Sequence, residues 1–191
     1  MSRRFLLRFA ISILGLAGVG VASFMIVSGQ QTQGALIGGP FRLASANGGE
    51  VTDANFKGRP FLVFFGYTHC PDICPTVLFE ISQVLKAMGD DKQIRALFIT
   101  VDPERDTPAV MKEYLSSFDP RIIGLSGTRQ ETDAVERAYR VYARKAPGHG
   151  SDYAMDHTAV VYLMDKQGRF VTAFNLDRPP QIAAKDLATY F

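Results

Sequence analysis

Apolar positions along the chain fall into three kinds of run, and each predicts a different element. Over residues 9–27 no charged side chain interrupts 19 positions, enough helix to cross a hydrocarbon layer of ~30 Å. The stretch 61–66 (FLVFFG) is short, wholly apolar and preceded by Pro60, as expected of a strand buried on both faces. Elsewhere apolar residues recur at helical spacing. Val77, Leu78, Ile81, Val84, Leu85 and Met88 make one stripe, with Pro75 in its first turn, and Val135, Ala138, Tyr139, Tyr142 and Ala143 make another. Between and after these, the pattern predicts a strand over 96–101, a helix over 108–118, a strand over 122–125 and a Gly-containing loop over 146–156. Strands follow at 159–164 and 170–174, joined across 165–169, and a last helix runs from Gln181. Ahead of all of them, 41–51 reads as a hairpin about Asn47-Gly48-Gly49, where positive φ costs little.

Strand, helix, strand, helix, then an antiparallel hairpin and a final helix is the order of the thioredoxin fold. The fold class expected is α/β, thioredoxin-like, with a helix and strand inserted after the second core strand and the 41–51 hairpin covering an edge or end of the core. With 191 residues the chain has room for one such core and an appendage. The organisation expected is a cytoplasmic stub and transmembrane anchor over 1–28, a polar, Gly-rich linker over 29–40 and one domain over 41–191. Arg3, Arg4 and Arg8 precede the apolar run and no acidic residue does, so the positive-inside rule keeps the N-terminus cytoplasmic and places the domain outside. A cleaved signal peptide is the alternative, with small residues near Ala22 and Ser28, although its apolar region needs only ~7–15 residues.

The formal charge of +2 changes this picture little, because the three N-terminal arginines account for it: without them 18 basic residues face 19 acidic ones. A near-neutral exported part has no basic stripe to neutralise phosphates, which sets nucleic-acid binding aside. The chain has two cysteines, Cys70 and Cys74. In an exported protein a pair usually forms a structural disulfide. A bridge across so short a loop, however, constrains the unfolded chain little and is open to strain; close pairs more often cycle or hold a metal. These two lie between a strand end and a helix start, where backbone N–H groups and the helix dipole favour the thiolate, so both are expected to be more acidic than a free cysteine.

Pro71 and Pro75 each follow a cysteine and fix the loop so that both sulfurs can face one point. Tethered soft thiolates prefer Cu(I) or Zn(II) to hard ions. Of the three histidines, His69 is adjacent to Cys70 and should point to the opposite side, and His149 lies between glycines in the 146–156 loop. His157 directly precedes the 159–164 strand, a place that the thioredoxin topology sets beside the cysteine loop, and is the third ligand expected. Zinc would want a fourth donor, which Asp156 or water could supply; copper tolerates low coordination by soft ligands and suits two Cys and one His better. Asp102 and Asp106 fall near the same edge of the sheet, either beside the metal or as ordinary caps of the following helix.

Four segments, GGPFRL (38–43), FFGYTHCPDICP (64–75), TVDPERDTP (100–108) and DHTAVVYLMD (156–165), together resemble the Sco/SenC family of copper chaperones that help assemble the binuclear copper centre of cytochrome c oxidase. The resemblance spans nearly the whole exported domain. It implies a thioredoxin-like fold, an N-terminal membrane anchor, and binding of Cu(I) or Cu(II) by Cys70, Cys74 and His157. The partners implied are the copper-bearing oxidase subunit, a periplasmic copper donor, a thioredoxin-like reductant, and membrane lipid around the anchor. A mitochondrial relative would carry an Arg- and Ser-rich presequence, whereas only eight residues precede the apolar run here. A bacterial inner-membrane protein with its C-terminal domain in the periplasm is therefore expected.

The competing reading is a thiol-disulfide oxidoreductase acting through Cys70 and Cys74 on the cysteines of the oxidase copper site. Against it, thioredoxin-type reductases carry C-x-x-C and a proline where this chain has C-x-x-x-C and Asp156-His157-Thr158. A peroxidase would want Thr-x-x-Cys, which is missing, and a passive tethered module would explain neither the cysteines nor the histidine. Delivery without enzymatic turnover is the function expected.

Overall fold

The computed structural model describes residues 37–89, 94–147 and 153–191. The expected span over 9–27, most of the expected linker, and His149 lie outside the described residues. Among the described residues no helix is long and apolar enough to cross a membrane.

Strands β1 (Arg42–Ser45) and β2 (Glu50–Thr52) form the expected antiparallel hairpin, with Gly48 and Gly49 both at positive φ in its turn. β3 (Phe61–Gly66) is buried along its whole length and leads into α1 (Ile73–Met88). β4 (Arg95–Thr100), α2 (Pro108–Leu115) and β5 (Ile122–Ser126) follow. Next come α3 (Arg129–Ala138), β6 (Ala143–Lys145), β7 (Met155–His157), β8 (Val161–Met164), β9 (Phe170–Ala173) and α4 (Pro180–Ala188).

Seven strands make one sheet in the order β2-β1-β5-β4-β3-β8-β9. β3, β4 and β5 are parallel, as short βαβ crossovers require, while β8 and β9 return antiparallel. The order β4-β3-β8-β9, with α1 and α4 packed together, is the thioredoxin arrangement. α2 and β5 are the inserted pair, and the hairpin extends the sheet beyond β5. The α1 stripe does what its spacing predicts: Val77, Leu78, Ile81, Val84 and Leu85 are buried.

One expectation fails. Tyr142 and Ala143 do not continue α3, which stops at Ala138; Arg140 adopts φ 57° and the chain turns back. Ala143–Lys145 instead pairs antiparallel with Met155–His157 in a separate two-stranded sheet, Ala143 opposite His157. The expected 146–156 loop therefore ends in a strand, and the expected strand from 159 begins only at Val161. In the main sheet, Gly66 pairs with Thr100 and Phe64 with both Phe98 and Val161. The C-terminal ends of β3 and β4 and the approach to β8 thus share one edge, where ligand sites of parallel sheets form.

Candidate metal centre

Three segments converge at that edge: the turn after β3 carries Cys70, the first turn of α1 carries Cys74, and β7 brings in His157. The two sulfurs and a ring nitrogen of His157 all lie within 4.8 Å of one another. Both cysteines are free, with Cys74 fully buried and Cys70 8% exposed. His157 Nε2 stands 3.7 Å from Cys74 Sγ, and Nδ1 stands 3.1 Å from the Thr158 carbonyl oxygen. A carbonyl only accepts, so Nδ1 holds the proton and Nε2 turns its lone pair toward the sulfurs. Burial pulls the imidazole below its ordinary pKa, opposed by the Thr158 carbonyl, so the ring is neutral and able to ligate near pH 7. The rings of Phe64 and Tyr67 lie 6.4 and 5.8 Å from the imidazole, both edge-on, and fix its orientation.

The helix start supplies the donor expected of it: Cys74 N–H donates to Cys70 Sγ at 3.4 Å. The expectation that both thiols are acidic is nevertheless wrong for Cys74. Burial pushes its thiol up, outweighing a hydrogen bond from the Tyr67 backbone, and the nearby Cys70 adds to the rise. In a pocket this dry the thiolates of Cys70 and Cys74 would need a cation beside them, and a soft metal ion held by the two sulfurs and His157 would supply that charge. Glycine at the end of β3 makes room for the sulfur, since a Cβ on Gly66 would stand 2.7 Å from Cys74 Sγ.

His69 keeps out of this group, as expected, although it lies in the turn after β3 and not in extended strand. Its side chain is 53% exposed and its Nδ1 lies 3.1 Å from Thr68 Oγ1. Asp156 is exposed, on the opposite side of β7 from His157, so among the described residues no carboxylate joins the two sulfurs and the imidazole. Two thiols and one imidazole match the preference of copper.

Asp102 and Asp106 are both buried, and neither caps α2. Thr107 does, accepting from Val110 N–H with Pro108 at the first helical position. Asp106 instead accepts from Thr68 N–H at 3.0 Å, Thr68 Oγ1 at 2.6 Å and Thr100 Oγ1 at 2.7 Å, tying the cysteine loop to the end of β4. Asp102 accepts from Arg105 Nε and from the Tyr153 hydroxyl at 2.8 Å. Arg105 in turn covers the Tyr153 ring at 3.7 Å and reaches 5.8 Å from that of Tyr67. Sequence reasoning missed the Asp106–Thr68 tie. The signal for it was Thr107-Pro108, a cap and first-turn pair that leaves Asp106 free for other work.

A sequence profile described as SCO1/SenC matches residues 29–191. The human mitochondrial "Protein SCO1 homolog" is 40% identical over 159 residues, which cover 81% of this chain and 53% of that protein. The chain thus spans about half the length of the curated relatives it matches. Among solved structures, Bradyrhizobium japonicum ScoI with copper bound superimposes with a TM-score of 0.79 at 62% identity, covering 81% of this chain and 99% of the other. Yeast Sco1 with copper bound gives 0.74 at 39% identity, covering 81% and 87%. With the matching profile, the matching fold and two thiols facing an imidazole, the chain belongs to the SCO1/SenC family.

Proposed function

We propose that this protein is a copper metallochaperone, anchored by its N-terminal segment in the bacterial cytoplasmic membrane with residues 41–191 in the periplasm, that delivers copper to the binuclear centre of cytochrome c oxidase. The observation that carries this reading is the convergence of Cys70 Sγ, Cys74 Sγ and a His157 nitrogen within 4.8 Å. It is supported by relatives whose structures hold copper. The site suits a cargo: Cu(I) is satisfied by two soft sulfurs, Cu(II) wants a nitrogen as well, and Cys70, the less buried of the two sulfurs, is the one nearer to a receiving protein.

The test is copper uptake by the full chain in detergent micelles. The reduced protein should bind copper stoichiometrically, the Cys70→Ser/Cys74→Ser variant should not, and the oxidised protein should take up none until a reductant is added. His157→Ala should keep most Cu(I) affinity and lose the sulfur-to-Cu(II) charge-transfer band. Stoichiometric binding by the double serine variant would defeat the proposal.

One observation favours a second reading, the reduction of oxidase cysteines: both thiols are free, and the less buried sulfur, Cys70, receives the N–H of Cys74. Cys70 would attack a target disulfide, Cys74 would resolve the mixed disulfide, and two electrons would leave the target as a dithiol and this chain as a disulfide for an external dithiol to reduce. Reduction of the oxidised oxidase domain by the metal-free chain, at a rate matching copper loading, would favour it.

A further inference from the structure

A groove of about 400 Å³ opens beside the first turn of α1. One wall is the outer face of α1, with Ile73, Thr76, Val77 and Glu80; the other is the chain leading into β8 and out of β9, with Val160, Phe174, Leu176 and Asp177. On each wall it is lined by a residue that lies close in sequence to a metal-centre donor. Ile73 stands between the two cysteines and is 45% exposed, and Ala159, on the opposite wall, follows His157 by two residues. The middle of the groove is apolar, and both charged side chains that line it, Glu80 and Asp177, are acidic. Neither makes an ion pair among the described residues. Asp72, also exposed, adds a third negative charge at the mouth of the loop.

Resting on the copper-exchange reading above, we propose that this groove docks a segment of the protein that exchanges copper with Cys70, Cys74 and His157, and that this segment is apolar with lysine or arginine flanks. Apolar side chains fill the middle of the groove, the basic flanks pair with Glu80 and Asp177, and the chain that follows is directed toward the cysteine loop. Unpaired acidic groups on the walls repel an acidic approach and steer a basic one, so they act on association more than on the metal itself. Exclusion of solvent from the groove then holds the two proteins long enough for sulfur ligands to exchange.

The test uses the full chain in nonionic micelles and a fluorescent peptide with a Val-Leu core and lysine flanks, beside the same core with glutamate flanks. The lysine-flanked peptide should bind more tightly, lose affinity as salt is added, and bind about tenfold more weakly to Glu80→Lys/Asp177→Lys. Ile182→Ser, an exposed apolar position outside the groove, should leave binding unchanged, and none of these variants should alter copper affinity. Equal binding of the two peptides, or no loss in the double reversal, overturns the proposal. So does a cross-linked dimer dispersed by the double reversal, which would assign the groove to a second copy. Copper transfer to the isolated copper domain of the oxidase separates the two ideas. Unchanged transfer by the double reversal overturns the groove and leaves delivery standing, whereas peptide selectivity with no transfer even by the wild-type chain supports the groove and overturns delivery.

Discussion

At the scale of single residues, the metal centre depends on the Cβ that Gly66 lacks as much as on the donors. Gly66 lacks a Cβ where one would meet Cys74 Sγ at 2.7 Å and Phe98 Cε2 at 2.6 Å. Neither neighbour yields easily: Phe98 is fully buried in β4, and Cys74 is held by the first turn of α1. Gly66→Ala should therefore swing the sulfur off the point it shares with Cys70 and His157. Copper affinity in a chelator competition should fall about tenfold or more, and the urea midpoint should drop by the equivalent of ~1–3 kcal/mol of overpacking. The sequence disclosed the donors themselves, because two cysteines four apart and a histidine before a strand are chemical signals. It did not disclose the need for glycine at this position, which arises only when β3, β4 and α1 are packed together.

Among the elements, the βαβ core was legible because burial imposes periods on sequence. The unbroken apolar run of β3 and the stripe of α1 have no other physical reading as strong. The small sheet of β6 and β7 was not legible. Tyr142 and Ala143 happen to extend the helical spacing of α3, but Tyr142 is 57% exposed, and Arg140 turns the chain with Val141 N–H donating back to the Glu136 carbonyl at 2.8 Å. Three residues of strand carry too little period to announce themselves. The tie from Asp106 to Thr68 is a long-range bond between two loops: Thr107-Pro108 signals that Asp106 is not the cap, but nothing local names Thr68 as its partner. Thr68→Val tests it, since the variant keeps the side-chain shape and removes the hydroxyl that donates to Asp106 Oδ1 at 2.6 Å. A buried carboxylate then loses one of three donors, which costs ~1–3 kcal/mol in a denaturant titration. The cysteine loop loosens, so Cu(I) dissociation should quicken more than it does in Thr76→Val, whose hydroxyl bonds only within its own helix, to the Asp72 carbonyl.

Across the whole domain, metal, protons and folding are linked through Cys74. The core is continuous from the hairpin to α4, far more apolar burial than a metal-dependent finger has, so the metal-free protein should unfold cooperatively, and copper should raise its melting temperature by linkage. The proton enters through burial. The folded thiol of Cys74 is held above 9.0, its ordinary value, whereas the unfolded thiol ionises near that value. Below 9.0 both states carry the proton and stability is unaffected; above it the unfolded state releases a proton that the folded state keeps. Fewer protons on the unfolded chain mean that stability falls as pH rises. Buried tyrosines, Tyr139 and Tyr114 among them, are pushed up in the same way and add their own alkaline loss. A comparison with Cys74→Ser removes their share. Melting temperatures of the metal-free protein should therefore decline from pH 9 upward more steeply in the wild type than in Cys74→Ser. In the copper-loaded protein the thiol is already deprotonated by the metal, and the difference should close. The same proton must leave when copper enters, so at neutral pH copper affinity should rise with pH in a competition titration. Parallel alkaline melts of wild type and Cys74→Ser would mean that the sulfur is as well solvated in the folded protein as in the unfolded chain, and the dry pocket inferred here would not exist.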